Sequence, residues 1–206
     1  MAELNNEFEI QIRAQKAFTD ATQEKVKNHQ ALNDNEIELL CPVAMKTTMT
    51  NKEITELGLS KHYSFVPTID VVNDLRTLGY DCVDATQVKS RKKSTNGYQK
   101  HLLTFEHPDY KVEGAEEYPQ LLLTNSHDGG NAFTLSAGIF RLVCSNGLVI
   151  KTEDYGTARL VHKGYSFETI RELVNEFNVT VTNVLNKVTA MKKVELTKDQ
   201  QIEFAK

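Results

Sequence analysis

The chain has no tryptophan, four prolines and three cysteines in 206 residues. Each scarcity excludes something. Cys41, Cys82 and Cys144 are too few and too far apart for a disulfide framework, and without a CxxC pair they offer no zinc knuckle. The N-terminus, MAELNNEFEI, lacks the basic-then-apolar pattern of a signal peptide, and no apolar run reaches membrane-spanning length. These absences predict a reducing, cytoplasmic setting and no membrane partner. Walker loops, GxGxxG after a strand, HExxH, GxSxG and EF-hand loops are also missing, so no cofactor is expected and no catalytic residue is assigned.

What is present suits a globular protein. Hydrophobic residues make up 40% and charged residues 25%, enough to bury a core and too apolar for wholesale disorder. The length fits one domain with a helical appendage. A formal net charge of -4 argues against a protein coated in basic residues but leaves room for a local basic patch.

The first sixty residues are polar and weakly patterned. Phe8, Ile10 and Ile12 alternate as in a short strand, EIELLCPVAM is an apolar segment stopped by Pro42, and residues 1–60 read as an arm or peripheral elements. Residues 61–165 read as an α+β core. Thr68 is placed to cap a helix with Ile69, Val72, Leu75 and Leu78 as its apolar stripe and Gly79 as its end. YDCVDATQVKS and QKHLLTFEH then form a β-hairpin, with Asn96-Gly97 as the turn signal. PQLLLTN is a third strand and AFTLSA a fourth, while GIFRLVCSNG fits either a continued strand or a short helix.

Residues 166–206 read as helices that pack on the core or on a partner subunit. Ile170, Val174, Phe177, Val181, Val184, Val188 and Met191 are spaced alternately by four and three, a heptad seam. Packing on the chain's own sheet is favoured over a homo-oligomeric coiled coil through residues 170–191. Thr197 and Gln200 form a capping box for a last helix, and its early stop suggests a truncated end. The fold expected is α+β: a mostly antiparallel sheet of about four to six strands packed against a long C-terminal helix.

Two stretches are candidates for function. NSHDGGNAF, residues 125–133, is first a tight turn, because Asn and Asp bond back to nearby backbone and glycines accept positive φ. A ligand-contacting loop, or His127 acting as base or metal ligand beside Asp128, is the rival reading, though nothing nearby completes a metal set and no metal is expected. Cys144 reads as a small buried residue rather than a nucleophile. Arg141, flanked by Phe140 and Leu142, either reaches the surface or pairs with an acid such as Asp128. The second stretch, KSRKKSTNGYQK, holds Lys89, Arg91, Lys92, Lys93 and Lys100 around Tyr98 with no acidic residue. It could bind phosphates with stacking on Tyr98, or be a solvated hairpin tip.

The ordered set YSFVPT, a helix ending in LGY, LLLTNSHDGG, GIFRLVCSNGLVI and VHKG before a long helix resembles a phage and plasmid family catalogued as domain of unknown function 932. The resemblance spans about residues 60 to 205, and its most specific marks are the NSHDG and RLVCSNG boxes, here Asn125, Ser126, His127, Asp128 and Gly129, then Arg141, Cys144 and Asn146. It implies a bacteriophage or mobile-element protein working in the host cell, near genes for DNA metabolism or for blocking host defence, and brings no established catalytic residues. The element order also resembles single-strand annealing proteins of the Rad52 kind at the level of fold. The leading expectation is single-stranded nucleic-acid binding in recombination or replication. The alternatives are an inhibitor that binds a host protein, and a metal-dependent hydrolase or nuclease using His127 and Asp128.

Overall fold

A computed structural model describes residues 2–90, 93–111, 119–144, 148–160 and 166–192. Five strands run in chain order, each antiparallel to the next: β1 (Asp81–Gln87), β2 (His101–Glu106), β3 (Pro119–Asn125), β4 (Phe133–Cys144) and β5 (Leu148–Leu160). The register explains the alternation in the sequence. Leu103 pairs with Leu123, which pairs with Leu135; Phe105, Leu121 and Ala137 make the next row. All six are buried on one face. The other face carries Thr104, Thr124, Thr134 and Ser136, all half-buried.

Helices α4 (Thr68–Thr77) and α5 (Phe167–Lys192) cover the apolar face, bringing Ile69, Val72 and Leu75 from one and Ile170, Val174, Phe177 and Val181 from the other into the core. That half of the heptad seam therefore packs on the chain's own sheet. Valine and threonine are poor helix formers, so burial of these four residues supplies much of what holds α5 in a helix. The side chains of Val184, Val188 and Met191, and the helix expected after Thr197, lie outside the described residues. The architecture is the expected α+β arrangement, and GIFRLVC proves to be a continuation of β4.

Two local expectations are corrected. Phe8, Ile10 and Ile12 belong to no strand but to α1 (Ala2–Lys27), where Glu, Gln, Ala and Lys outweigh a three-residue alternation. His29 ends the neighbouring turn at φ 52°, with its own N–H bonded to the Val26 carbonyl and the Gln30 N–H to the Lys25 carbonyl. Thr68 does not cap α4: Pro67 holds the cap position, and the Thr68 side chain turns into the sheet instead. β1 and β2 do pair as the expected antiparallel hairpin. The connection spans residues 88–100 and includes a 3-10 turn at Lys93–Thr95, with Gly97 at φ 89° closing it.

The N-terminal region also feeds the core. Leu32, Ile37, Cys41 and Ala44 are buried in it, and the Leu32 N–H donates to the Cys82 carbonyl at 2.8 Å, which occupies part of the β1 edge. Asn33 and Glu36 cap α2 (Asp34–Leu40) reciprocally. Replacing Phe177 by Ala is expected to cost about 3–5 kcal/mol, while Val179→Ala, at a position 63% exposed, changes stability by roughly 0.5 kcal/mol or less. Urea denaturation of both variants checks this, and equal costs would mean that α5 packs by another face.

Candidate functional site

Two loops meet at one end of the sheet. Residues 88–100 join β1 to β2, residues 126–132 join β3 to β4, and the His127 N–H donates to the Tyr98 carbonyl at 2.8 Å. Beneath them runs a buried chain of hydrogen bonds. The Asn125 amide donates to the Thr68 hydroxyl at 3.0 Å and to the Val66 carbonyl at 3.3 Å. His101 Nδ1 lies 3.0 Å from the Gln99 carbonyl, which can only accept, so Nδ1 carries the proton. Nε2 is then free to accept from the Thr68 hydroxyl at 2.7 Å. His101 is thus oriented at both nitrogens. Burial pushes its pKa down to about 4, against the opposing pull of the Gln99 carbonyl and Asp128.

The NSHDG box is folded into this base. Asn125, Ser126 and His127 are fully buried, and the His127 ring packs between Phe65 at 4.7 Å and His101 at 5.0 Å. The Ser126 hydroxyl accepts from the Asn131 N–H at 2.9 Å, and the half-buried Asp128 takes the Gly130 N–H on Oδ1 at 2.9 Å, an Asx turn. Of the two glycines only Gly129 has positive φ, 72°, and a Cβ there would come within 2.5 Å of Leu59 Cδ2. A fully buried imidazole is poorly placed to meet a substrate. Among the described residues no group of three or more His, Cys, Asp or Glu side chains is placed to hold a metal ion.

The basic loop is held differently. Lys89 and Lys93 are exposed, Lys100 and Tyr98 half-buried, and Arg91 and Lys92 lie outside the described residues. The Tyr98 hydroxyl donates to Glu53 Oε1 at 2.5 Å, and the Lys46 ammonium sits 4.7 Å from the Tyr98 ring centroid and 2.9 Å from the same oxygen. The second oxygen, Oε2, accepts from the Thr50 N–H at 2.6 Å and hydroxyl at 2.7 Å, and the Glu53 N–H donates back to the Thr50 hydroxyl at 3.3 Å to complete the capping box of α3 (Asn51–Glu56). These donors, Tyr98 first and the Thr50 N–H next, hold the Glu53 carboxyl well below the usual carboxylate range. Sequence reading missed Glu53, Lys46 and His101. Only His101 left a signal, a histidine among the inward positions Leu103 and Phe105.

The second family box is elsewhere. Arg141 pairs with Ile150 and Cys144 with Leu148 in the ribbon where β4 and β5 run past the end of β3. Arg141 is seven residues beyond Thr134, roughly 20 Å along the strand from the loop at about 3.3 Å per residue. The side chains of Arg141 and Cys144, and with them the expected pairing of Arg141, lie outside the described residues. Asn146 lies outside the described residues. Of the other thiols, Cys41 and Cys82 are buried, and burial pushes both pKa values up, Cys41 to about 12.

Residues 58–206 match the family model described as a domain of unknown function (DUF932). The chain belongs to the DUF932 family. It is 31% identical over 147 residues to each of two Escherichia coli (strain K12) relatives, the UPF0380 proteins YafZ and YfjQ, covering 71% of this chain and 53% of theirs. The chain thus spans about half the length of the curated relatives it matches. No solved structure matches it. Both loops lie in the DUF932 region, whereas Lys46, Thr50 and Glu53 precede its first matched residue. No described helix is long and apolar enough to cross a membrane.

The buried neutral His101 makes stability depend on pH. Its folded pKa of about 4 lies below the ordinary 6.5, so the unfolded chain takes up the proton first and stability falls as pH drops from about 6.5 to about 4. This group contributes roughly 3 kcal/mol to that loss. Urea denaturation at intermediate pH values should show the slope, and His101→Gln should remove most of it. A slope unaltered by the substitution would place the titrating group elsewhere.

Proposed function

We propose that this chain is a nucleic-acid-binding module of a mobile element, gripping phosphates through residues 88–100 and serving recombination or replication. The observation that carries this reading is the charge of that loop. Lys89, Arg91, Lys92, Lys93 and Lys100 lie in a stretch with no acidic residue until Glu106, in a chain whose formal net charge is -4. A concentrated patch on an otherwise acidic protein gives a local field that attracts a polyanion and steers it to one place.

Tyr98 has a different part from the stacking platform suggested by sequence. Its hydroxyl is taken by Glu53 and a ring face by Lys46, so the proposed contacts are to the backbone rather than to bases, and the binding is indifferent to sequence. Single-stranded DNA is the proposed ligand, with duplex of the same length as the comparison. The rival reading, capture of a host protein, has the exposed Phe167 and Val179 of α5 as its surface. Nuclease treatment of a pull-down separates the two, because only the nucleic-acid reading expects the captured material to be lost.

Fluorescence anisotropy with a labelled single-stranded oligonucleotide tests the proposal. Affinity should fall with salt at a log–log slope of about -0.7 per neutralised phosphate. The double change Lys92→Ala with Lys93→Ala should weaken binding on every sequence and reduce that slope by about 1–2. An absence of binding at micromolar protein, or a slope unchanged by the double substitution, would count against it.

A further inference from the structure

We propose that Glu53 is a positioning residue for the basic loop: with Tyr98 and Lys46 it forms a clamp that holds residues 88–100 in the geometry that takes up phosphates. The inference rests on the nucleic-acid reading above for its purpose, but not for its existence.

The loop has reason to need such a clamp. Its cations repel one another, and at its base the ladder extends by one bond, from the Val88 N–H to the Lys100 carbonyl at 2.9 Å. A hydroxyl pair, Ser90 with Thr95 at 2.8 Å, spans its middle. The Gln99 side chain braces the closing turn by accepting from the Gly97 N–H at 2.7 Å and the Tyr98 N–H at 3.1 Å. Tyr98 ties this turn to other elements. Its carbonyl accepts from the His127 N–H, and its hydroxyl donates to the Glu53 carboxylate. Glu53 is itself fixed, because both its oxygens are occupied: Tyr98 and Lys46 on one, Thr50 twice on the other. A loop ordered in advance loses less conformational freedom on binding and so binds more tightly.

The charge of Glu53 makes the proposal decidable. If that carboxylate acted only through its field, deleting it beside a cationic loop would strengthen binding of a polyanion. If it positions the loop, deleting it weakens binding even though a repulsive charge has gone. The two expectations have opposite signs.

The test uses the full chain with Glu53→Gln and, as the gentler change, Tyr98→Phe, which removes one hydroxyl and no charge. Two readouts are taken. One is the rate of trypsin cleavage within residues 88–100, which needs no nucleic acid. The other is affinity for the labelled single-stranded oligonucleotide. The clamp predicts faster cleavage in both variants and affinity lower by about tenfold, the scale of one hydrogen bond to a charged group. Unchanged cleavage overturns the clamp whatever the binding result. Faster cleavage with equal or tighter binding overturns its role in uptake. If the wild-type chain does not bind the oligonucleotide while cleavage still accelerates, the nucleic-acid reading fails and the clamp as a holder of the loop stands.

Discussion

The position of one proton, on Nδ1 of His101, sets up the end of the sheet where both loops begin. Because it is given to the Gln99 carbonyl, Nε2 must accept from Thr68, and the Thr68 oxygen in turn accepts from Asn125. One buried ring thereby joins β2, the start of α4 and the end of β3. The loop at 88–100 ends at Lys100, next to His101, and the loop at 126–132 starts right after Asn125. Their relative placement follows from the tie beneath them. A charged imidazole in the same place would be a cation taken out of water, and this desolvation is what keeps the ring neutral.

Much of this fold is legible in sequence because period-2 and heptad spacing are local properties. LLLTN and AFTLS announce inward rows that pair as Leu123 with Leu135, and the stripe from Ile170 to Val181 is where α5 buries itself. The site resisted the same reading because its contacts are long-range. Glu53 meets Tyr98 across 45 residues and Thr68 meets His101 across 33, and no spacing rule encodes such pairs. Proximity in sequence also misled. NSHDG and RLVCSNG lie close in sequence, yet the backbone of β4 carries Arg141 and Cys144 away from the loop toward the far end of a long strand pair. In α1, helix-forming composition decided against a short alternation that looked like a strand.

The resulting division of labour is physical. Residues of the NSHDG box spend their polar groups on the chain itself: Asn125 on α4, Ser126 on Asn131, Asp128 on Gly130. In the proposed reading, contact with an outside anion falls to the exposed cations upstream, whose loop is anchored from beneath by the His127 N–H and from the side by Glu53. That second anchor comes from a segment ahead of the DUF932 match, so the relatives' shared region does not by itself contain the clamp.

The histidine-rich base thus acts as a neutral, fixed support for both loops. Long-range ¹H–¹⁵N spectra of the imidazoles, followed from neutral pH down to about 4, test it most directly. His101 should show the Nδ1–H tautomer and stay neutral until pH approaches 4. An Nε2–H tautomer, or titration of His101 near the ordinary value of 6.5, would contradict it.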